Sequence, residues 1–127
     1  MIVSPSILIT DDDPVFRDTV CGVLEPDGFH TLVASSGEEA CEIIQSEEVH
    51  VALLDMHMPR LSGLETLRLV KQFKALLPVI LMSARLDETI RAEAQRAEAF
   101  AVLSKPVSRF DLTSSVQQAL HCAYGWG

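Results

Sequence analysis

Three consecutive aspartates, Asp11, Asp12 and Asp13, close the first short apolar run of this 127-residue sequence. Asp55 closes the third such run, Ser83 the fourth, and Lys105 follows the fifth. If these runs are strands of one open parallel sheet, their carboxyl ends share an edge, where such sheets bind ligands. That edge then carries carboxylates, a hydroxyl and an ammonium. Crowded carboxylates repel one another, and a hard divalent cation compensates them well; magnesium takes oxygen ligands while keeping several waters. Lys105 adds a mobile point charge suited to phosphate oxygens, and the Ser83 hydroxyl can donate to them. A carboxylate beside the metal can attack phosphorus to give an aspartyl phosphate, with the charge on the transferred group screened by the cation and Lys105. Asp55 is the natural nucleophile, because it alone leaves a central-strand end without an acidic neighbour.

The elements that must position these residues are legible as alternating periods. Ser6–Thr10, His30–Ala34, Val49–Leu54, Pro78–Met82 and Phe100–Leu103 are short apolar runs of buried-strand type. Between them lie stretches with helical spacing: Phe16, Val20 and Val23; Ala40, Ile43 and Ile44; Leu64, Leu67 and Val70; and, after the fifth run, Leu112, Val116 and Leu120. Asp13-Pro14 marks one helix start, and Ser36 with Glu38 and Glu39 another. Ser108 with Asp111 resembles a capping box, weakened because Asp replaces the usual Glu or Gln. Pro26-Asp27-Gly28 is a turn, and Asp87–Ala97 is a helical stretch with mostly alanine on its apolar side. Five strand–helix pairs with continuous apolar strands predict an α/β fold, a doubly wound five-stranded parallel sheet covered by helices on both faces.

Composition narrows the function classes. With 18 acidic and 10 basic residues the formal charge is −8 and the pI about 4.8, which argues against nucleic-acid binding, since that needs clustered Lys and Arg. The length suits a single domain over 1–127, with a core of about 6–123 and with 124–127 as a tail or the start of a linker. Cys21, Cys41 and Cys122 form no metal or disulfide pattern, and the first two are expected as small buried thiols. His30, His50 and His121 show no ligand spacing and are expected at the surface or at strand ends. Glu38, Glu39 and Glu42 are expected as a solvated face, and Asp13 as a helix cap. No basic leader and no membrane-length apolar stretch is present, so the expected location is cytoplasmic, with no membrane partner.

From about Ser6 to Ala123 the sequence resembles the receiver domain of two-component response regulators. The matching pieces are Asp11-Asp12, Asp55 within Asp55-Met56-His57-Met58-Pro59, Gly63, Ser83-Ala84 and Lys105-Pro106. Each is weak alone; in this order at strand ends they are specific. The resemblance implies a flavodoxin-like (βα)5 architecture with strand order 2-1-3-4-5, and a phosphorylatable switch. In it Asp55 is the phosphoacceptor, and Asp11, Asp12, Asp55 and the main-chain carbonyl of His57 hold Mg2+, with Mn2+ as an alternative ion. Ser83 and Lys105 contact the phosphoryl oxygens, and the Lys105-Pro106 bond is commonly cis. The implied partners are a histidine kinase or phosphotransfer protein as donor and a downstream effector protein or effector domain as target, with a phosphorylation-dependent homodimer a further option. Such a chain assists its own phosphorylation and dephosphorylation and is not a turnover enzyme on an external substrate.

Some positions depart from the family pattern. Val102 stands where an aromatic switch residue is usual, and Glu98 where a glycine commonly precedes the fifth strand. His57 and Arg85 occupy the two positions that set the phosphoryl lifetime in the family; the His57 side chain is expected to be exposed and not a ligand. Two other readings compete with this one. Asp11 and Asp13 form the D-x-D of a haloacid-dehalogenase-like phosphatase, as nucleophile and general acid, but no acidic pair follows Lys105 and the length leaves no room for a cap. An unphosphorylated pseudo-receiver binding module is disfavoured by the complete acidic, hydroxyl and lysine set. A nucleotide-binding role lacks both G-x-G-x-x-G and a P-loop.

Overall fold

A computed structural model describes residues 4–126. Five strands, β1 (Ser6–Thr10), β2 (His30–Ala34), β3 (Val51–Asp55), β4 (Val79–Ser83) and β5 (Ala101–Ser104), pair in parallel in the order β2-β1-β3-β4-β5. They alternate with helices α1 (Pro14–Leu24), α2 (Gly37–Ser46), α3 (Gly63–Phe73), α4 (Glu88–Arg96) and α5 (Arg109–Tyr124). This is the predicted doubly wound sheet with the expected strand order.

Side-chain alternation along each strand divides the interior in two. Ile7, Ile9, Leu53, Ile80 and Met82 pack with Val20 and Leu24 of α1 and with Leu112 and Val116 of α5. Leu8, Ala52, Leu54 and Leu81 pack with Ala40 and Ile44 of α2, Leu64, Leu67 and Val70 of α3, and Ala94 of α4. β3 and β4 are buried along their whole length, which is why their sequences are near-continuous apolar runs. Each fully buried Leu or Ile contributes about 1.5–3 kcal/mol by leaving water. α4 is the weakly anchored helix, with Ala94 its one buried residue.

Register decides what meets at the carboxyl edge. Thr10 lies opposite Leu54, so Asp11 and Asp55 leave the sheet at one level. Asp55 lies opposite Met82, and Ser83 opposite Ser104, so Ser83 follows one step beyond Asp55 and Lys105 one step beyond Ser83. Backbone bonds fix these exits: Asp11 N–H donates to Ala34 C=O (3.2 Å), Met56 N–H to Met82 C=O (2.8 Å), and Lys105 N–H to Ser83 C=O (2.8 Å).

The boundaries differ from expectation where side chains compete with the ladder. β3 starts at Val51 rather than Val49, because the Ser6 N–H donates to the His50 imidazole Nδ1 (2.8 Å) in place of a further ladder bond. The Pro26-Asp27-Gly28 turn is a short 3-10 segment over Glu25–Asp27, closed by Gly28 at φ 92°. Asp13 and Ser36 cap their helices as expected, Asp87 caps α4 rather than lying within it, and Ser62 with Glu65 forms a full capping box. Ser108 accepts from Asp111 N–H (3.0 Å), but among the described residues the shorter Asp111 carboxylate returns no bond. Tyr124 belongs to α5 rather than to a tail: its hydroxyl donates to His50 C=O (2.8 Å), and its ring stacks on Trp126 at 4.6 Å. Gly127 lies outside the described residues. Cys21 and Cys41 are half-buried rather than fully enclosed, and desolvation raises both thiol pKa values. Among the described residues no helix is long and apolar enough to cross a membrane.

Candidate functional site

Asp11 anchors the site. Its side chain is buried, and both oxygens are engaged: Oδ1 accepts from Asp13 N–H (2.9 Å) and Oδ2 from Lys105 Nζ (2.7 Å). Its main-chain carbonyl accepts from Arg17 Nη1 (2.8 Å), which ties the β1–α1 loop to the helix it opens. The Lys105 ammonium also lies 3.2 Å from Asp55 Oδ1 and 4.2 Å from the centre of the Phe16 ring, a cation–π contact that holds the lysine over the edge. The Lys105-Pro106 bond is cis.

Asp55 is 5% exposed and ends the central strand. Its Oδ1 receives the Lys105 ammonium and, at 3.4 Å, the His57 N–H; no partner of its Oδ2 is found among the described residues. Gly63 makes this geometry achievable. A Cβ there would collide with the Asp55 carbonyl oxygen, so the start of α3 packs directly on the backbone that carries Asp55.

Asp11, Asp12 and Asp55 each offer a carboxylate oxygen, and these oxygens lie within 4.8 Å of one another. Burial first, then the Asp11 charge, raises the Asp55 pKa; Lys105 and the His57 N–H oppose the rise without cancelling it. For Lys105 burial acts downward, but its hydrogen bond to Asp11 and the charges of Asp55 and Asp11 outweigh it and leave the ammonium more strongly held than usual. Three carboxylates against one ammonium leave two negative charges when all are ionised. An all-oxygen donor set with that charge fits a hard divalent cation.

The structure brings together Asp11, Asp12, Asp55 and Lys105, with His57 beside Asp55. Asp13 stands apart from them: its carboxylate accepts from Val15 N–H (3.0 Å) as the α1 cap. The D-x-D pair of the phosphatase reading is therefore divided, Asp11 lying in the carboxylate cluster and Asp13 in the α1 cap. Ser83 is fully buried at the end of β4 and is bonded away from the carboxylates. Its hydroxyl donates to Arg85 C=O (2.7 Å), accepts from Arg85 N–H (3.1 Å), and lies 3.2 Å from His57 Nε2.

That last contact corrects one expectation in part. The His57 residue is exposed, as expected, but its imidazole is engaged with Ser83. No sequence spacing links residues 26 apart, so no signal pointed to it. The Phe16 contact was hidden in the same way, since Phe16 matched the inner face of α1. Val102 is half-buried on β5 opposite Leu81, and Glu98 takes the left-handed conformation, φ 66°, that glycine adopts freely.

The profile of the response regulator receiver domain matches residues 7–117. Response regulator RR06 of Streptococcus pneumoniae is 33% identical over 119 residues, covering 94% of this chain and 54% of that protein. The transcriptional regulatory protein CpxR of Escherichia coli is 32% identical over 114 residues, covering 90% and 48%. The chain therefore spans about half the length of these curated relatives. Among solved structures, a receiver domain protein from Clostridium thermocellum superposes with a TM-score of 0.88 at 32% identity, covering 93% of this chain and 95% of its own. A receiver domain protein from Methanospirillum hungatei superposes at 0.91 with 26% identity, covering 98% and 99%.

Proposed function

The chain belongs to the response regulator receiver domain family of two-component systems, and from that premise we propose that it is a switch phosphorylated on Asp55. The observation that carries this reading is the Lys105 ammonium shared between Asp11 Oδ2 and Asp55 Oδ1 inside a three-carboxylate cluster. Phosphorylation on an aspartate is characteristic of the family.

Asp55 acts as the nucleophile. With Oδ1 engaged by Lys105 and the His57 N–H, Oδ2 is the oxygen left to attack. It forms a bond to phosphorus as the bond to the donor's leaving group breaks; from a phosphohistidine the departing imidazole nitrogen keeps the electron pair and takes up a proton. Lys105 moves from the carboxylate pair toward the incoming phosphoryl oxygens, and the Ser83 hydroxyl donates to one of them once it leaves Arg85. Asp11, Asp12, Asp55 and the His57 main-chain carbonyl would hold Mg2+ or Mn2+. When bound, such a cation supplies the positive charge that lets these carboxylates and the transferred group share one small volume.

A histidine kinase or phosphotransfer protein is the donor in this reading, and an effector protein or effector domain is the target. The chain assists its own phosphorylation and hydrolysis without turning over an external substrate. It works in the cytoplasm as one receiver unit. Its acidic surface contacts no nucleic acid directly, and a phosphorylation-dependent homodimer is one form the output can take. The phosphoryl group shifts a pre-existing two-state equilibrium through contacts made in one state only.

The test is intact mass after incubation with acetyl phosphate, with and without magnesium, for wild type and Asp55→Asn. A magnesium-dependent gain of one phosphoryl group that is absent in Asp55→Asn supports the reading. A gain that survives in Asp55→Asn but vanishes in Asp11→Asn restores the phosphatase-like chemistry. No gain with acetyl phosphate or with a phosphorylated histidine donor leaves a pseudo-receiver.

A further inference from the structure

We infer that His57 is a positioning residue that holds the Ser83 hydroxyl withdrawn from the phosphorylation site, so that Ser83 reaches a phosphoryl group only when His57 releases it. This rests on the proposed role of Asp55 as phosphoacceptor and of Ser83 as a phosphoryl contact.

The argument is an accounting of one hydroxyl. A serine side chain has one proton to give and two lone pairs to receive with. The proton goes to Arg85 C=O at 2.7 Å, and one lone pair takes the Arg85 N–H at 3.1 Å. The second lone pair faces His57 Nε2 at 3.2 Å, so Nε2 carries the imidazole hydrogen and donates it. Every position on the hydroxyl is filled, and the serine is completely buried, so a bond lost there is costly. Turning toward a phosphoryl oxygen therefore breaks all three.

Two of these bonds are local, to a residue two positions on. The third crosses from the loop after β3 to the end of β4, and its donor is joined to the phosphoacceptor. The same residue that donates from its ring to Ser83 donates its main-chain N–H to Asp55 Oδ1 at 3.4 Å. Chemistry on the Asp55 carboxylate thus bears on the backbone whose side chain restrains Ser83. His57 couples the event at Asp55 to the freedom of the hydroxyl that responds to it.

The test is a double-mutant cycle with beryllofluoride, a phosphoryl mimic, titrated in the presence of magnesium and followed by NMR. Losing one hydrogen bond that opposes the turn should tighten binding by about threefold to tenfold in His57→Ala. His57→Gln, whose amide can still donate, should restore part of the wild-type value. In the Ser83→Ala background the His57→Ala effect should vanish. An equal His57→Ala effect in both backgrounds overturns the inference, since it would show His57 acting on the site directly or only shaping the loop. A second readout stands apart from phosphoryl chemistry: the His57 Nε2 nitrogen resonance should report a protonated donor and shift on Ser83→Ala. If that shift is absent, the hold does not exist. If it is present while wild type neither binds beryllofluoride nor accepts a phosphoryl group, the hold stands and the receiver reading fails.

Discussion

Lys105 Nζ and Asp11 Oδ2 lie 2.7 Å apart although 94 residues separate them in the chain. The ammonium is the one positive charge drawn into the carboxylate cluster among the described residues, and Asp55 shares it at 3.2 Å. Lys105→Met keeps the stem but leaves two buried carboxylates uncompensated, at a cost of about 2–4 kcal/mol in metal-free buffer. Magnesium should then raise the melting temperature of Lys105→Met by more than it raises that of wild type, because the ion takes over the missing compensation. Thermal unfolding with EDTA and with magnesium measures both; equal magnesium shifts would refute the compensating role.

Asp55 carries the opposite sign. Burial and the Asp11 charge raise its pKa in the folded chain, so folding favours the neutral acid. The stability this contributes is fully present below the unfolded carboxylate value and is lost as pH rises through the raised folded one. At neutral pH, without metal, the ionised Asp55 is thus a burden. Asp55→Asn should melt higher than wild type in EDTA at pH 7, by about 2–6 °C, with the gap closing toward pH 4. A gap that stays constant with pH, or an Asn variant that melts lower at pH 7, would contradict this account of the site.

How much of this was legible depends on what carried the signal. The strand-end residues were visible because apolar runs end on them, and parallel register then places Asp11 level with Asp55 and Lys105 one step past Ser83. β1 and β2 matched their apolar runs residue for residue, since turn or acidic residues bracket both. β3 was overextended because nothing in Val49-His50 tells that the His50 ring accepts the Ser6 N–H. The ties of Phe16 to Lys105 and of His57 to Ser83 are long-range side-chain contacts, made by the fold and marked by no local period.

Glu98 shows a local rule broken at a known cost. It follows α4 at φ 66°, with its N–H on Gln95 C=O (3.0 Å) and the Ala99 N–H on Ala94 C=O (3.0 Å), the bond pattern of a Schellman motif. A side chain in the left-handed region costs about 1 kcal/mol that glycine avoids. Glu98→Gly should therefore stabilise the fold by about that amount and raise the melting temperature by about 3–5 °C. Glu98→Ala keeps the Cβ and should gain nothing. If the alanine variant matches the glycine variant, the backbone conformation is not the cause and the lost carboxylate is.

Gly63 and Gly37 separate stability from chemistry. A Cβ on either meets atoms closer than contact distance, but the atoms differ in kind. At Gly63 they are the carbonyl of Asp55 and the Cα of Met56, backbone that cannot turn aside. At Gly37 they are the side chains of Thr66 and Leu61, between α2 and α3 and away from the carboxylates. Gly37→Ala should lower stability by about 1–3 kcal/mol, as overpacking does, while phosphorylation by acetyl phosphate keeps close to its wild-type rate. Gly63→Ala should cost at least as much, and it should also slow phosphorylation at least about tenfold. Relief of its collision has to move the peptide that aims Asp55, and reacting groups misplaced by about 1 Å lose rates of that order. The rate is measured by intact mass against time at a temperature where both variants remain folded. If Gly63→Ala is destabilised yet phosphorylated as fast as Gly37→Ala, the close approach of α3 to the Asp55 backbone serves packing alone.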